Sequence, residues 1–191
     1  MKQAAFLFTI FFAFVLAANA QGANAVGSVE NFSLPDTNGK IRTLNEMKGT
    51  KGAVIIFVSS QCPVVRGYNE RMNQIATDYK AKGINVIGIN SNVTEKGEQI
   101  KSHAALTYNF PVLIDKNSAL ADKLGANATP EAFYVDAKNV LLYHGAIDND
   151  RFGKNITDPY LRAAFDASLA GKKISQTTTK AFGCSIKRTN D

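Results

Sequence analysis

Cysteine and histidine are both scarce in this chain: 191 residues contain Cys62, Cys184, His103 and His144 and no others of either type. Neither histidine stands at a metal-ligand spacing from a cysteine, so no metal site is expected and both read as ordinary polar residues. No basic run is interleaved with aromatic residues, which argues against a nucleic-acid partner. There are no internal repeats. The longest apolar run, residues 4–18, is broken only by Thr9 and at fifteen residues is short of the roughly 20 that a membrane-spanning helix needs.

That run fits an export signal instead. Lys2 supplies a positive start and Ala18-Asn19-Ala20 a small-residue cleavage site, so residues 1–20 read as a signal peptide. No cysteine follows the cleavage site, which argues against a lipid anchor. The expected product is periplasmic or secreted and has no stable membrane span. It would hold 171 of the 191 residues, enough for one domain, residues 21–171, and a tail, residues 172–191. Without Lys2, 21 basic residues face 16 acidic ones, and their scatter along the chain reads as solubility.

Two cysteines in an exported chain are an even number in an oxidising compartment, so Cys62 and Cys184 are able to pair. A bridge would close a loop of about 120 residues, for which the chain-entropy model gives about 4 to 5 kcal/mol. Whether such a bridge is structural or redox-active stays open at this level.

What the chain does have is a sharply defined stretch at residues 53–66, AVIIFVSSQCPVVR. Residues 54–58 are β-branched or aromatic without interruption, the pattern of a strand buried on both faces. Pro63 suits the first position of a helix, which makes Cys62 the N-cap. A thiol there meets unpaired N–H groups and the positive end of the helix dipole. Both favour the thiolate, so Cys62 is the leading candidate for a reactive sulfur.

The rest of the chain is organised around that stretch. Residues 21–28 read as a loose arm, and residues 32–34 and 40–43 as a hairpin turned at Asn38-Gly39. One helical turn is expected over residues 44–47. Val65, Tyr68, Met72, Ile75 and Tyr79 recur in steps of three and four, which predicts an amphipathic helix over residues 64–82. Residues 84–90 read as a second buried strand, completing a right-handed parallel unit with the cysteine at its carboxyl edge, where chemistry collects in open α/β sheets. A polar loop follows over residues 91–98, with a short helix over 99–106, a strand over 110–114 and a helix over 118–124. Residues 132–135 and 140–143 form a hairpin, and residues 159–170 a last helix with Leu161, Phe165 and Leu169 inward. The tail has little periodicity, yet Ile174, Phe182 and Cys184 suggest that it packs back on the domain.

This order, with Phe57-Val58-Ser59-Ser60-Gln61-Cys62 and Ala128-Thr129-Pro130-Glu131-Ala132-Phe133, resembles the thioredoxin superfamily. Similarity through Tyr143-His144-Gly145 to Ala181-Phe182-Gly183-Cys184-Ser185-Ile186-Lys187 extends it to the peroxiredoxin-like redoxins of the alkyl hydroperoxide reductase and thiol-specific antioxidant group. The resemblance implies an α/β thioredoxin-like fold: a central mixed β-sheet flanked by helices, an N-terminal β-hairpin and an extended C-terminal tail. It also implies an exported thiol-dependent oxidoreductase without cofactor, acting on a disulfide-bearing protein or a hydroperoxide and recycled by an external thiol reductant. Thr129-Pro130 would be cis, a geometry that an X–Pro bond adopts at small cost, and would lie beside Cys62. There the Thr129 backbone would be offered to an extended substrate.

Two departures bear on mechanism. Thioredoxins place a second cysteine three residues after the first, where this chain has Val65, so no dithiol cycle operates within the turn. Peroxiredoxins place a proline seven residues before the cysteine, where this chain has Ile55, and a distant arginine, whereas the strand after Pro130 holds none here; only Ser59 fits their hydroxyl position. Copper-delivery relatives carry a cysteine where Arg66 stands. Cys184 is therefore the candidate resolving thiol for Cys62. Arg66, one turn after Cys62, is a candidate to steady a thiolate, although a solvated helix residue is the commoner case. Glu131 is a candidate proton relay, with an exposed strand-end carboxylate as its ordinary reading. The alternative function is a catalytically inactive thioredoxin-like binding module with a structural Cys62–Cys184 disulfide.

Overall fold

A computed structural model describes residues 27–189. The signal peptide expected over residues 1–20, and all of the arm before Gly27, lie outside the described residues. In chain order the elements are β1 (Gly27–Ser28), β2 (Ser33–Pro35), β3 (Ile41–Thr43), α1 (Leu44–Met47), β4 (Gly52–Phe57) and α2 (Pro63–Lys80). Then come β5 (Ile84–Asn90), α3 (Gly97–Thr107), β6 (Val112–Ile114), a 3-10 turn (Lys116–Ser118), α4 (Ala119–Leu124) and β7 (Ala128–Thr129). The chain closes with β8 (Glu131–Asp136), β9 (Val140–Gly145), α5 (Tyr160–Leu169) and β10 (Cys184–Ser185). The fold is thioredoxin-like. A mixed six-stranded sheet of order β1-β9-β8-β4-β5-β6 is flanked by helices, with the β2–β3 hairpin ahead of it and the tail strand after it.

β4 is the spine. Its six residues are all buried, and their side chains alternate: Val54 and Ile56 join a core with Tyr68, Met72 and Phe165, while Ala53, Ile55 and Phe57 join one with Leu44, Leu113 and Ile186. An uninterrupted apolar strand therefore serves two layers at once, each buried aliphatic side chain contributing about 1.5 to 3 kcal/mol. On α2 the five residues expected to point inward are the five that are buried. β4 and β5 are parallel in the register Gly52–Ile84 to Phe57–Ile89, as the right-handed unit requires.

β4 also pairs antiparallel with β8, setting Phe57 opposite Glu131. Where β4 ends, β8 begins. That register alone brings the turn after Phe57 to the segment before Glu131.

Three local expectations are corrected. Gly27–Ser28, expected in a loose arm, form an edge strand on β9, because the sheet edge offers unpaired groups to any extended neighbour. The helix expected over residues 118–124 begins one residue later, at Ala119, because Ser118, like Asn117 before it, takes left-handed backbone, with φ of 56° and 62° respectively. The strand over residues 110–114 begins only at Val112, the carbonyl of Pro111 accepting from Gly88 before the paired stretch. Among the described residues no helix is long and apolar enough to cross a membrane.

Candidate active site

Cys62 is the N-cap of α2, with extended backbone at φ −83° and ψ 116° and no side-chain cap on the helix start. The first turn carries no acidic residue, and Pro63 removes one N–H that would otherwise need a partner. The residue is 3% exposed, and its Sγ lies 3.3 Å from the Thr129 carbonyl oxygen. Thr129-Pro130 is a cis peptide. Cys62 is bonded to Cys184, 122 residues away, with the two Cα atoms 5.9 Å apart.

Cys184 arrives on a strap. After α5 the chain crosses β9, where the His144 N–H donates to the Thr177 carbonyl at 2.9 Å and the Thr179 N–H to the His144 carbonyl at 3.0 Å. Gly145, at φ 140°, leaves room for Thr179, whose carbonyl and hydroxyl a Cβ there would strike. Phe182 then packs against Tyr68 of α2 with ring centroids 6.3 Å apart. β10 pairs antiparallel with β7, Cys184 opposite Thr129 and Ser185 opposite Ala128. The pairing is close enough that a Cβ at Gly183 would run into the Thr129 carbonyl. Beyond it Ile186 is buried at 1% exposure, and its N–H donates to the Asn127 carbonyl at 3.0 Å.

The backbone edge at Thr129, which the family resemblance assigns to an extended substrate, is thus filled by the chain's own Cys184. Thr129 and Pro130 do wall the sulfur pair, and the bridged protein is in effect bound to itself.

Two buried carboxylates hold the segments beside the bridge: Glu131, already a candidate from the sequence, and Glu95, which was not. Glu131 is 6% exposed and is not the solvated strand-end residue expected. It accepts from the Asn127 and Ala128 N–H groups at 2.7 and 2.9 Å and meets His144 Nε2 at 2.6 Å. Burial pushes its carboxyl up, but His144 and the two backbone donors outweigh burial and hold it below the usual glutamate range. His144 is no bystander, since it closes this pair while its ring stacks on Phe133 at 4.2 Å.

Glu95 is the second. It is 8% exposed and accepts from Ser59 Oγ at 2.5 Å, from the Ser60 N–H at 2.9 Å, from Asn90 Nδ2 at 3.0 Å and from Ser60 Oγ. Ser59 Oγ in turn accepts from the Gln61 N–H at 3.1 Å. Ser59 therefore braces the turn ahead of Cys62. Arg66 is exposed, and its charge acts on His103, whose basicity is lowered first by burial, with Glu95 opposing and Arg66 adding. Among the described residues no group of three or more His, Cys, Asp or Glu is placed to hold a metal ion. The sequence signal for Glu131 was its place after the cis-proline. For Glu95 there was none, because the serines it holds lie 35 and 36 residues away.

The model of the AhpC/TSA family matches residues 27–144. The thiol-disulfide oxidoreductase ResA of Halalkalibacterium halodurans is 30% identical over 114 residues, which is 60% of this chain and 64% of that protein, so the match spans less than two thirds of the curated relative. A hypothetical protein from Sinorhizobium meliloti 1021 is 35% identical with a TM-score of 0.80, covering 90% of this chain and 98% of its own. An uncharacterized conserved protein from Geobacillus kaustophilus is 28% identical with a TM-score of 0.81, covering 90% and 95%.

Proposed function

The chain belongs to the AhpC/TSA family, and on the geometry of its cysteine pair we propose that it is a thiol-disulfide oxidoreductase cycling between a Cys62–Cys184 bridge and two thiols. One observation carries the reading: the bridge joins an uncapped helix N-terminus beside a cis-proline to a two-residue strand, β10.

Reduced, the Cys62 thiolate is favoured by the α2 dipole and its free N–H groups. It attacks a substrate disulfide, one sulfur of which leaves as thiolate while the other stays joined to Cys62. Cys184 then attacks the Cys62 sulfur, the remaining substrate thiolate departs and the bridge closes. The substrate has gained two electrons and, on protonation of its sulfurs, two protons; the protein has lost as many. An external thiol reductant restores both cysteines. Thr129 and Pro130 wall the reacting sulfurs, and Ser59 and Glu131 act as supports: the Ser59 hydroxyl is committed to Glu95, which favours disulfide exchange over a peroxidase site that would turn that hydroxyl to the sulfur. Arg66, exposed on α2, is left with a peripheral electrostatic role.

A second reading has its own support. The tail is anchored by buried Ile174 and Ile186 and by backbone pairing on both sides of Cys184, as a structural bridge in an inactive binding module would be. The test is mass spectrometry of acid-trapped protein after stepwise exposure to reductant and then to a disulfide substrate. Reversible interconversion with matched substrate reduction is expected. A bridge that resists strong reductant while the protein stays folded would replace the redox reading with the structural one. Activity after export from the cytoplasm is part of the proposal, resting on the residue 1–20 pattern.

A further inference from the structure

We infer that the segment Asn90 to Glu95, from the last residue of β5 into the loop before α3, is a positioning element for the sulfur pair, with Glu95 fixing the turn that delivers Cys62 and Asn92 fixing the segment that carries Cys184. The inference rests on the redox reading of that pair and adds residues that touch neither sulfur.

Glu95 accepts four hydrogen bonds, three of them from the Ser59 hydroxyl and the Ser60 N–H and hydroxyl, the residues immediately ahead of Gln61 and Cys62. An acceptor-only carboxylate suits a turn that offers only donors. Since Cys62 is an N-cap without a side-chain bond to its own helix, the approach angle of the sulfur depends on this turn. Three residues earlier in the loop, Asn92 Oδ1 accepts from the Lys187 N–H at 2.9 Å, and the adjacent Val93 N–H donates to the Lys187 carbonyl at 3.1 Å. Lys187 is three residues past Cys184. Asn92 is 8% exposed, so this grip is made largely out of water.

The loop is itself stiff. The Glu95 N–H donates to the Asn92 carbonyl at 3.2 Å, the Asn92 N–H to Asn90 Oδ1 at 3.1 Å and the Ser91 hydroxyl to buried Asp115 at 2.7 Å. One short loop thus holds both halves of the pair at once. Bridging two thiols depends on the effective concentration of each at the other, which falls when either is held loosely. Loosening Glu95 or Asn92 therefore favours the dithiol and makes the pair more oxidising.

The experiment is a glutathione redox titration of the full chain, with thiols trapped in acid and counted by mass spectrometry. Glu95→Gln and Asn92→Ala are each expected to lower the bridging constant about tenfold, which for a two-electron couple raises the potential by about 30 mV. Asn92→Asp keeps the acceptor for Lys187 and is expected to restore the wild-type value. Glu98→Gln, at an exposed carboxylate on the first turn of α3, is expected to leave it unchanged. Circular dichroism and melting report folding separately. If Glu95→Gln does not fold, Asn92→Ala and its Asp rescue decide the matter. Folded variants with the wild-type potential, or Asp failing to rescue Asn92→Ala, would overturn the positioning role. A wild-type bridge that never equilibrates with glutathione is seen before any variant is measured, and it overturns the redox reading together with this inference.

Discussion

The two cysteines of one bridge are held in opposite ways. Cys62 sits where a fully buried strand meets an 18-residue helix, so its position is set by the two largest apolar layers of the molecule. Cys184 sits on a two-residue strand between exposed Gly183 and Ser185, and its position is set by a few discrete contacts: Phe182 on Tyr68, Ile186 in the core, β10 on β7 and Lys187 on Asn92. On the proposed redox reading, a rigid half and a pinned half would let the pair open without unfolding the domain. In that cycle the rigid side would hold the geometry of attack and the pinned side would move.

The largest challenge to this contrast is to remove the bridge. Cys184→Ser is expected to lower the unfolding free energy of the oxidised protein by up to about 4 to 5 kcal/mol, the chain-entropy value for a closed loop of 122 residues, and to cost far less when both proteins are measured in reductant. Urea denaturation with and without reductant checks it. Equal losses in the two conditions would mean that the serine disturbs the strap itself.

Next, Ile56→Ala tests the rigid side. Ile56 is fully buried in the layer that positions α2, and the truncation is expected to cost about 2 to 5 kcal/mol in either redox state. A loss confined to the oxidised protein would show that the spine and the bridge are coupled more tightly than the contrast allows.

Gly183→Ala probes the pinned side at its closest approach. The added methyl meets the Thr129 carbonyl, so β10 must shift, with an expected cost of about 1 to 3 kcal/mol in the oxidised protein. The same change should ease reduction of the bridge. An unchanged melting temperature and an unchanged rate of reduction by dithiothreitol would show that β10 has slack.

The smallest effect is electrostatic. The folded carboxyl of Glu131 is held below its ordinary value of about 4.3, so its contribution to stability is complete above that value and is lost as pH falls through the lowered folded one. Urea midpoints taken at falling pH should therefore drop less steeply in Glu131→Gln than in the wild type. Parallel curves would remove Glu131 from the supports of the β7 segment.

The spine, the helix and the cysteine at their junction were legible in the sequence because their signals are local. Residues 84–90 were bounded as the strand β5 is, and the inward stripe of α2 was complete, since a period of two or of 3.6 is written into neighbouring residues. The short helical turn expected at residues 44–47 is present, held by a capping box of Thr43 and Glu46 that the structure supplies. The cis geometry at Thr129-Pro130 followed from the family resemblance. Glu95, His144 and the edge strand at Gly27–Ser28 were not legible. Each acts through partners elsewhere in the chain, Ser59 and Ser60 for Glu95, Glu131 for His144 and β9 for Gly27–Ser28, and contacts of that kind leave no periodic trace among neighbouring residues.

The sequence by itself determined where Cys62 stands, at the start of a helix fed by a strand buried on both faces, and that any second sulfur must come from far along the chain. Burial patterns and helix caps are local, so they survive in the order of residues. Only the tertiary structure decided that the tail lies as a strand across Thr129, that Cys184 fills the edge where an extended substrate would pair, and that Asn92 and Glu95 hold both sides from one loop. Those contacts exist only once β4, β5 and β8 have brought their ends to one edge of the sheet.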